Sequence, residues 1–453
     1  MTPQANFMIL APIKQGREEE LTRLLESMND APGQLNVNNP LIPFAQLDSL
    51  HFARLLILKD NTLNDVRAYG GGPAPTYPLY LAFLGDIDGD VDNFFEELVR
   101  RAGDGLRKIF SYCDGFKPTT ELVRWMKAQS APPIAAYVNW RGRTVLQIRE
   151  EAALQEALQK YLRDTATVLE NLPARKIHAR LQEFVEKEKA EHRLKLSHEK
   201  ATPVWWWIKN SLHLIGPLLL LSVILLLLRL IVPLLFLPLI FLLLSLVVVI
   251  ALIYVTLLRR LEKTDPELCW RVDQKYSDML SSAEDHYVTN QFTAMGSLKP
   301  GLVRLLTIIG VLVTVNWAAR HITPRGHLGR IRTIHFARWV FLDGKKRMVF
   351  FSNYDGTVES YMDDFINKTG FGLNAVFSNG IGYPRTNWLV LDGCQDEQKY
   401  KDFLRRHTLP TQVWYKAYLG LTAIDLERNT RIRQGLESAS MSDQEARKWA
   451  ALL

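Results

Sequence analysis

The chain opens on a short apolar run, FMILAPI, followed by REEELTRLLESMN, in which Leu21, Leu24 and Leu25 share one helical face. HFARLLIL and LYLAFLGDI then read as strands, the second closing on the turn pair Asp88-Gly89. VDNFFEELVRRAGDGLRKIF has helical spacing in its first half at least, PPIAAYVNW reads as a last strand, and VLQIREEAALQEALQKYL as a helix after it.

The same words return later in the chain. His51-Phe52-Ala53-Arg54 recurs as His335-Phe336-Ala337-Arg338, and Asp88-Gly89 as Asp355-Gly356. Gly-Leu pairs follow at Gly105 and Gly372, then IFSYCDGF matches VFSNGIGY, and GRTVLQI matches GLTAIDL. Lys14-Gln15-Gly16 upstream matches Lys299-Pro300-Gly301. So many matches in one order at near-constant spacing imply an internal repeat. Each half then has the order β-α-β-β-α-β, a ferredoxin-like split βαβ with an antiparallel sheet and helices on one face. The fold class expected is α+β, two duplicated units forming a pseudo-dimer by burying their open sheet faces against each other.

Between the halves the polar pattern stops. From Ser211 to Leu258 the only formal charge is Arg229, with His213 near the start. A single helix of that length would be roughly 70 Å long, against a hydrocarbon core of about 30 Å. Two crossings use it, with Pro233 and Pro238 marking the turn. Lys209 precedes the run and Arg259-Arg260 follow it, and Trp205, Trp206 and Trp207 suit an interfacial anchor. This predicts an integral membrane protein with both soluble units on the cytoplasmic side and the lipid bilayer as a partner. A second apolar stretch, Leu302 to Ile322, stands where the first unit has its helix REEELTRLLESMN. It is expected to lie on the membrane face as a surface helix, a third span being the alternative.

The expected organisation is a first unit over 1–160, a charged helical stalk over 161–204, a transmembrane hairpin over 205–260, a returning helical connector over 261–288, and a second unit with a C-terminal helix over 289–453. The stretch Ala68 to Pro78 has no counterpart in the second half and reads as a loop. Its Gly70-Gly71-Gly72 lacks the GK[ST] and following helix of a phosphate-binding loop.

Composition adds little. Fifty-five Lys and Arg against 48 Asp and Glu give a net charge of +7, which suits a cytoplasmic membrane face, and no nucleic-acid partner is expected. Cys113, Cys269 and Cys394 form no CxxC, so neither a disulfide framework nor a zinc site is indicated, and no metal ligand set is assigned. HExxH, GxSxG and a calcium-loop spacing are also absent.

Chemistry is therefore sought among the repeated polar residues. Strand alternation sets His51 beside Ala53 and Leu55, and Arg54 beside Phe52 and Leu56; His335 and Arg338 divide likewise. An arginine inside an apolar strand needs a partner, expected to be Asp88 or Asp355 at the end of the neighbouring strand. Element order and duplication together resemble the dimeric α+β barrel superfamily, over roughly 5–160 and 289–440. Some of its members bind haem between the units. Gly85-Asp86-Ile87-Asp88-Gly89 is similar to the G-x-x-D-G motif of dye-decolourising peroxidases, although Ser352 replaces the first glycine in the second half. That resemblance implies Asp88 or Asp355 with Arg54 or Arg338 on the distal side of a haem, and His51 or His335 as candidate axial ligands. The leading functional expectation is instead a membrane-anchored binding or scaffold protein. Its occupant would be a lipid, a small apolar ligand or a protein partner, held between or on the two units.

Overall fold

The computed structural model describes residues 1–170, 172–439 and 441–453. The chain is mixed α+β, with small antiparallel sheets and long apolar helices. Its first half runs β1 (Gln4–Pro12), α1 (Glu18–Glu26), a ribbon of β2 (Asn29–Ala31) and β3 (Gln34–Leu35), β4 (Leu50–Leu58), α2 (Leu63–Gly70) and β5 (Tyr80–Asp88). Then come α3 (Val91–Phe110), α4 (Leu122–Ala128), β6 (Ala135–Val138), α5 (Val145–Asp164), α6 (Ala166–Leu169) and α7 (Ala174–Ala190). Helices α8 (Val204–Ile231), α9 (Phe236–Thr264) and α10 (Gln274–Ser281) lead to β7 (Thr289–Ser297) and α11 (Leu302–His321). The remainder is β8 (Ile334–Leu342), β9 (Arg347–Asp355), α12 (Val358–Phe377), a ribbon of β10 (Thr386–Asn387) and β11 (Leu391–Asp392), α13 (Glu397–His407), β12 (Val413–Lys416), α14 (Ala423–Glu437) and α15 (Asp443–Ala450).

Two four-stranded sheets carry the architecture, ordered β1-β5-β4-β12 and β6-β8-β9-β7. Each fourth strand has changed places. Val413–Lys416 pairs with Leu55–Phe52 of β4, and Ala135–Val138 pairs with Trp339–Phe336 of β8. The sequence reading kept each last strand in its own half; the structure exchanges them. The exchange carries hydrophobic contacts with it: Val413 and Tyr415 join the core under α1, α3 and α4, and Ala135 and Tyr137 join the core under α11, α12 and α13.

The other faces of the sheets pack on each other. Met8, Leu56, Leu58 and Leu84 of one sheet form a single apolar cluster with Met295, Val340, Leu342 and Phe351 of the other. Every residue of β4 is therefore buried, as is every residue of β9. At roughly 1.5–3 kcal/mol for each large apolar side chain fully buried, this interface stabilises both sheets substantially. Below it, α5 and α14 pack together, and Leu181 and Val185 of α7 and Trp449 of α15 complete a further cluster. Residues 174–190, expected as part of a solvated stalk, thus bury one apolar face. The spacing of Ile177, Leu181 and Val185 already marked that face.

Three helices, α8, α9 and α11, are long and apolar enough to cross a membrane. Leu226, Ile231, Leu234, Phe241 and Val247 are among the many exposed apolar side chains of the α8–α9 pair and its turn. Pro233 lies in that turn, and Pro238 in the first turn of α9, where the missing N–H costs no helical bond. Helix α11 differs from its two neighbours because one side of it packs on β6. Near its start, Thr307 bonds Tyr254 of α9 and Arg304 bonds Asp265 just beyond that helix. At its end His321 meets His213 of α8 at 2.8 Å. Helix α11 therefore runs across the feet of the other two.

Candidate functional site

The repeated polar residues converge where the two sheets meet. Arg54 projects from β4 into the opposite sheet, donating to the Phe292 carbonyl at 2.8 Å, to Thr293 Oγ1 at 3.0 Å, and to the Ser352 carbonyl and Asn353 Oδ1. Arg338 does the same from β8, donating to the Phe7 carbonyl at 2.8 Å, the Gly85 carbonyl at 3.1 Å and the Asp86 carboxylate. Phe7 pairs with Gly85 and Phe292 with Ser352, so each guanidinium plugs the same rung of the facing sheet. The expected Arg–Asp88 and Arg–Asp355 partners are not the ones used. Both arginines face the opposite sheet, and two acceptors of each are main-chain carbonyls, which any residue can supply.

Asp88 and Asp355 serve the histidines instead. His51 Nε2 lies 3.0 Å from Asp88 Oδ1, and His335 Nε2 lies 2.7 Å from Asp355 Oδ1. The second carboxylate oxygens accept the first N–H groups of α5 and α14, from Val145 at 2.8 Å and from Ala423 at 2.7 Å. Negative charge at a helix N-terminus is favourable. Thr144 and Thr422 cap the same two helices. Immediately after the aspartates, Gly89 and Gly356 both take φ of +88°, turning the chain into helices capped by Asp90 and Thr357.

The histidines are also turned relative to expectation. The pairing of β4 with β5 shifts between Leu50 and Phe52, and that of β8 with β9 between Ile334 and Phe336. A bulge inserts one residue and re-aims its side chain. His51 consequently joins the inter-sheet side, 5.4 Å from the Phe336 ring, and His335 lies 5.4 Å from Phe52. Phe52, Phe336, Trp414 and Tyr418 complete this aromatic cluster, with Phe52 stacked on Trp414. Tyr418 hydroxyl stands 3.3 Å from His51 Nδ1. A neutral ring that donates Nε2–H to Asp88 can accept from the tyrosine at Nδ1.

Electrostatics follow from burial. Between the sheets, Arg54 and Arg338 share one carboxylate, Asp86. Desolvation, reinforced by the charge of Arg338, lowers Arg54 to about 9. Burial raises Asp86 against the pull of Arg338 and Arg54, and burial likewise raises the Tyr418 phenol. Nearby, Lys416 ends β12 with no carboxylate partner among the described residues; its ammonium sits 3.5 Å from the Tyr287 ring centroid. Burial lowers Lys416 to about 7.

The space enclosed by Arg54, Asp86, Arg338 and Asn353 is about 10 Å³, enough for one water. Nε2 of each histidine is taken by a carboxylate, and both rings are packed by aromatics. These residues do not fit a haem between the sheets, neither as axial ligands nor as a cavity for the macrocycle. Chemically, the assembly is a saturated clamp holding two sheets and two helix N-termini in register. Sequence reasoning named Asp88, Asp355, Arg54, Arg338, His51 and His335, and the structure brings all six to this one interface. It missed Asp86, Asn353 and Tyr418; only the position of Asp86 on the same strand face as Leu84 signalled an inward carboxylate. Comparison with known protein families, curated proteins and solved structures finds no match for this chain.

Proposed function

We propose that this chain is a membrane-anchored scaffold or binding protein made of two duplicated ferredoxin-like units, similar in arrangement to the dimeric α+β barrel superfamily. Helices α8 and α9 form a hairpin through the bilayer, α11 lies along its surface, and both units stand on the cytoplasmic side. Duplication is supported by the matched strand orders, by bulges at both His51 and His335, and by the paired caps of α5 and α14. The occupant is expected on the membrane-facing surface, since the space between the sheets is filled.

The observation that carries this reading is the path of α11 across the feet of α8 and α9. A helix so placed holds the soluble body against the bilayer, and its apolar outer side meets lipid. The charges flanking the hairpin, Lys209 before it and Arg259-Arg260 after it, support cytoplasmic placement.

The test is cysteine accessibility. With Cys113, Cys269 and Cys394 replaced, single cysteines at Gly71 and Gly344, both exposed, report on the two units. A membrane-impermeant maleimide applied to intact cells should label neither, and should label both after lysis. Labelling of one site alone in intact cells, or recovery of the protein in the soluble fraction after carbonate washing, overturns the reading.

A further inference from the structure

The basic charge of this protein is unevenly neutralised at the two feet of the hairpin. At the foot of α9, Arg304 and Lys299 both pair with Asp265, and Arg259 pairs with Glu262. At the foot of α8 the cations have no such partners among the described residues. From Leu302 to Leu342 the sequence contains no Asp or Glu, and Arg320 and His321 end α11 within it. Arg141 arrives from the loop after β6, whose backbone is held to the segment following α11 by the bridge between Trp140 and Arg325. Arg141 and Arg320 act on each other and on the stacked pair His213 and His321.

Among the described residues neither arginine forms an ion pair, and the Nε–H of each is buried without an acceptor. Asn210, one turn before His213 on the same face of α8, also has a buried amide oxygen without a partner. Burial, with the charge of Arg320 beside it, lowers Arg141 to about 10. The negative end of the α11 dipole favours Arg320 and His321. It does not account for Arg141, which belongs to another element. Buried guanidinium donors without acceptors are costly, and a phosphate answers them with several charged oxygens that accept paired N–H···O bonds. Trp317 and Trp207, both exposed near this foot, suit the headgroup level of a bilayer.

We infer that Arg141 and Arg320, with the His213–His321 pair beside them, form a binding site for the phosphate of an anionic lipid headgroup where α8 leaves the soluble body. This rests on the membrane placement proposed above and assigns the occupant of that surface. The lipid is preferred to a free phosphate because the arginines converge at the foot of an apolar helix, where the acyl chains have a surface to lie on. Filling the site ties α8, α11 and the loop after β6 into one unit.

The test uses the full chain in lipid nanodiscs. Neutral phosphatidylcholine discs are doped with a fluorescent phosphatidylglycerol, and energy transfer from tryptophan measures its enrichment beside the protein. Wild type should enrich the anionic lipid, and Arg141→Gln with Arg320→Gln should weaken that enrichment about tenfold or more, since each basic residue near the surface contributes about 1 kcal/mol. Lys263→Gln, removing an exposed lysine at the other foot, should leave it unchanged; an equal loss there means general surface electrostatics and overturns the site. Inorganic phosphate at millimolar concentration should not displace the lipid; full displacement assigns the site to small anions and overturns the lipid. The double variant should unfold at the same temperature as wild type or higher. As a readout independent of variants, native mass spectrometry of the wild type from neutral detergent should show one retained anionic phospholipid, and its absence counts against the site. Failure of the chain to enter nanodiscs at all overturns the membrane reading and this assignment with it.

Discussion

Asn353 stands in one sheet where Asp86 stands in the other, and the two are hydrogen-bonded across the interface, Asn353 Nδ2 to Asp86 Oδ2 at 3.2 Å. Asp86 pairs with Phe52 and Asn353 with Phe336, so the positions correspond strand for strand. One carboxylate thus answers two buried guanidinium groups. The asymmetry makes Asp86 the most consequential side chain of the interface.

Replacing it tests that assignment. Asp86→Asn should destabilise the protein by about 3–5 kcal/mol, because two buried cations lose the carboxylate they both face. Moving the charge instead of deleting it, by Asp86→Asn with Asn353→Asp, should recover a large part, since Arg54 already bonds position 353. Denaturant unfolding of the four chains closes the cycle. A double variant no more stable than the sum of its single changes would show that the location of the carboxylate, and not its presence, is what matters.

Lys416 sets a pH dependence. Its pKa, lowered by burial to about 7, lies below the unfolded value of 10.5. Below pH 7 both states carry the proton, and the folded state bears the full cost of a buried ammonium, partly offset by the Tyr287 ring. Between about 7 and 10.5 the unfolded chain binds more protons, so this contribution to stability rises with pH across that window. Lys416→Met should remove that rise and be more stable than wild type at pH 6. Matching slopes for the two chains from pH 7 to 9 would mean the ammonium is solvated.

Haem offers a direct check on the clamp. Haemin added to the purified protein should give no Soret shift attributable to His51 or His335, and His335→Ala should leave the spectrum unaltered. The same change should lower stability by about 1–3 kcal/mol, because the buried Asp355 loses a partner. A stoichiometric Soret band abolished by His335→Ala would reopen the space between the sheets.

Much of the fold was legible because its strands are apolar runs bounded by turn residues, as in HFARLLIL and the Asp-Gly pairs. The exchange of β6 and β12 was not. PPIAAYVNW and TQVWYKAYL carry similar patterns, and nothing in alternation states which β4-like strand either one joins. The site residues were legible as repeated polar positions, but their partners were not. Two acceptors of Arg54 and two of Arg338 are carbonyls that leave no trace in side-chain identity, and a one-residue bulge reverses the face that simple alternation assigns to His51. Arg141 and Arg320 escaped notice because a basic residue near an apolar helix is ordinary; among the described residues, a buried Nε–H without an acceptor together with the lack of an ion pair marks them.

The exchanged strands also impose an order on biosynthesis. As the chain emerges, β1, β4 and β5 can form a sheet, but the open edge of β4 has no strand to cover it until Val413–Lys416 is made, after the apolar hairpin and most of the second half. β6, by contrast, is finished early and waits for β8. An uncovered strand edge is a template for wrong pairing, and long-range strand pairing is slow to close. The nascent first half is therefore an incomplete intermediate through most of translation, dependent on whatever shields its edge at the ribosome or membrane, and any truncation before Val413 leaves it permanently unclosed.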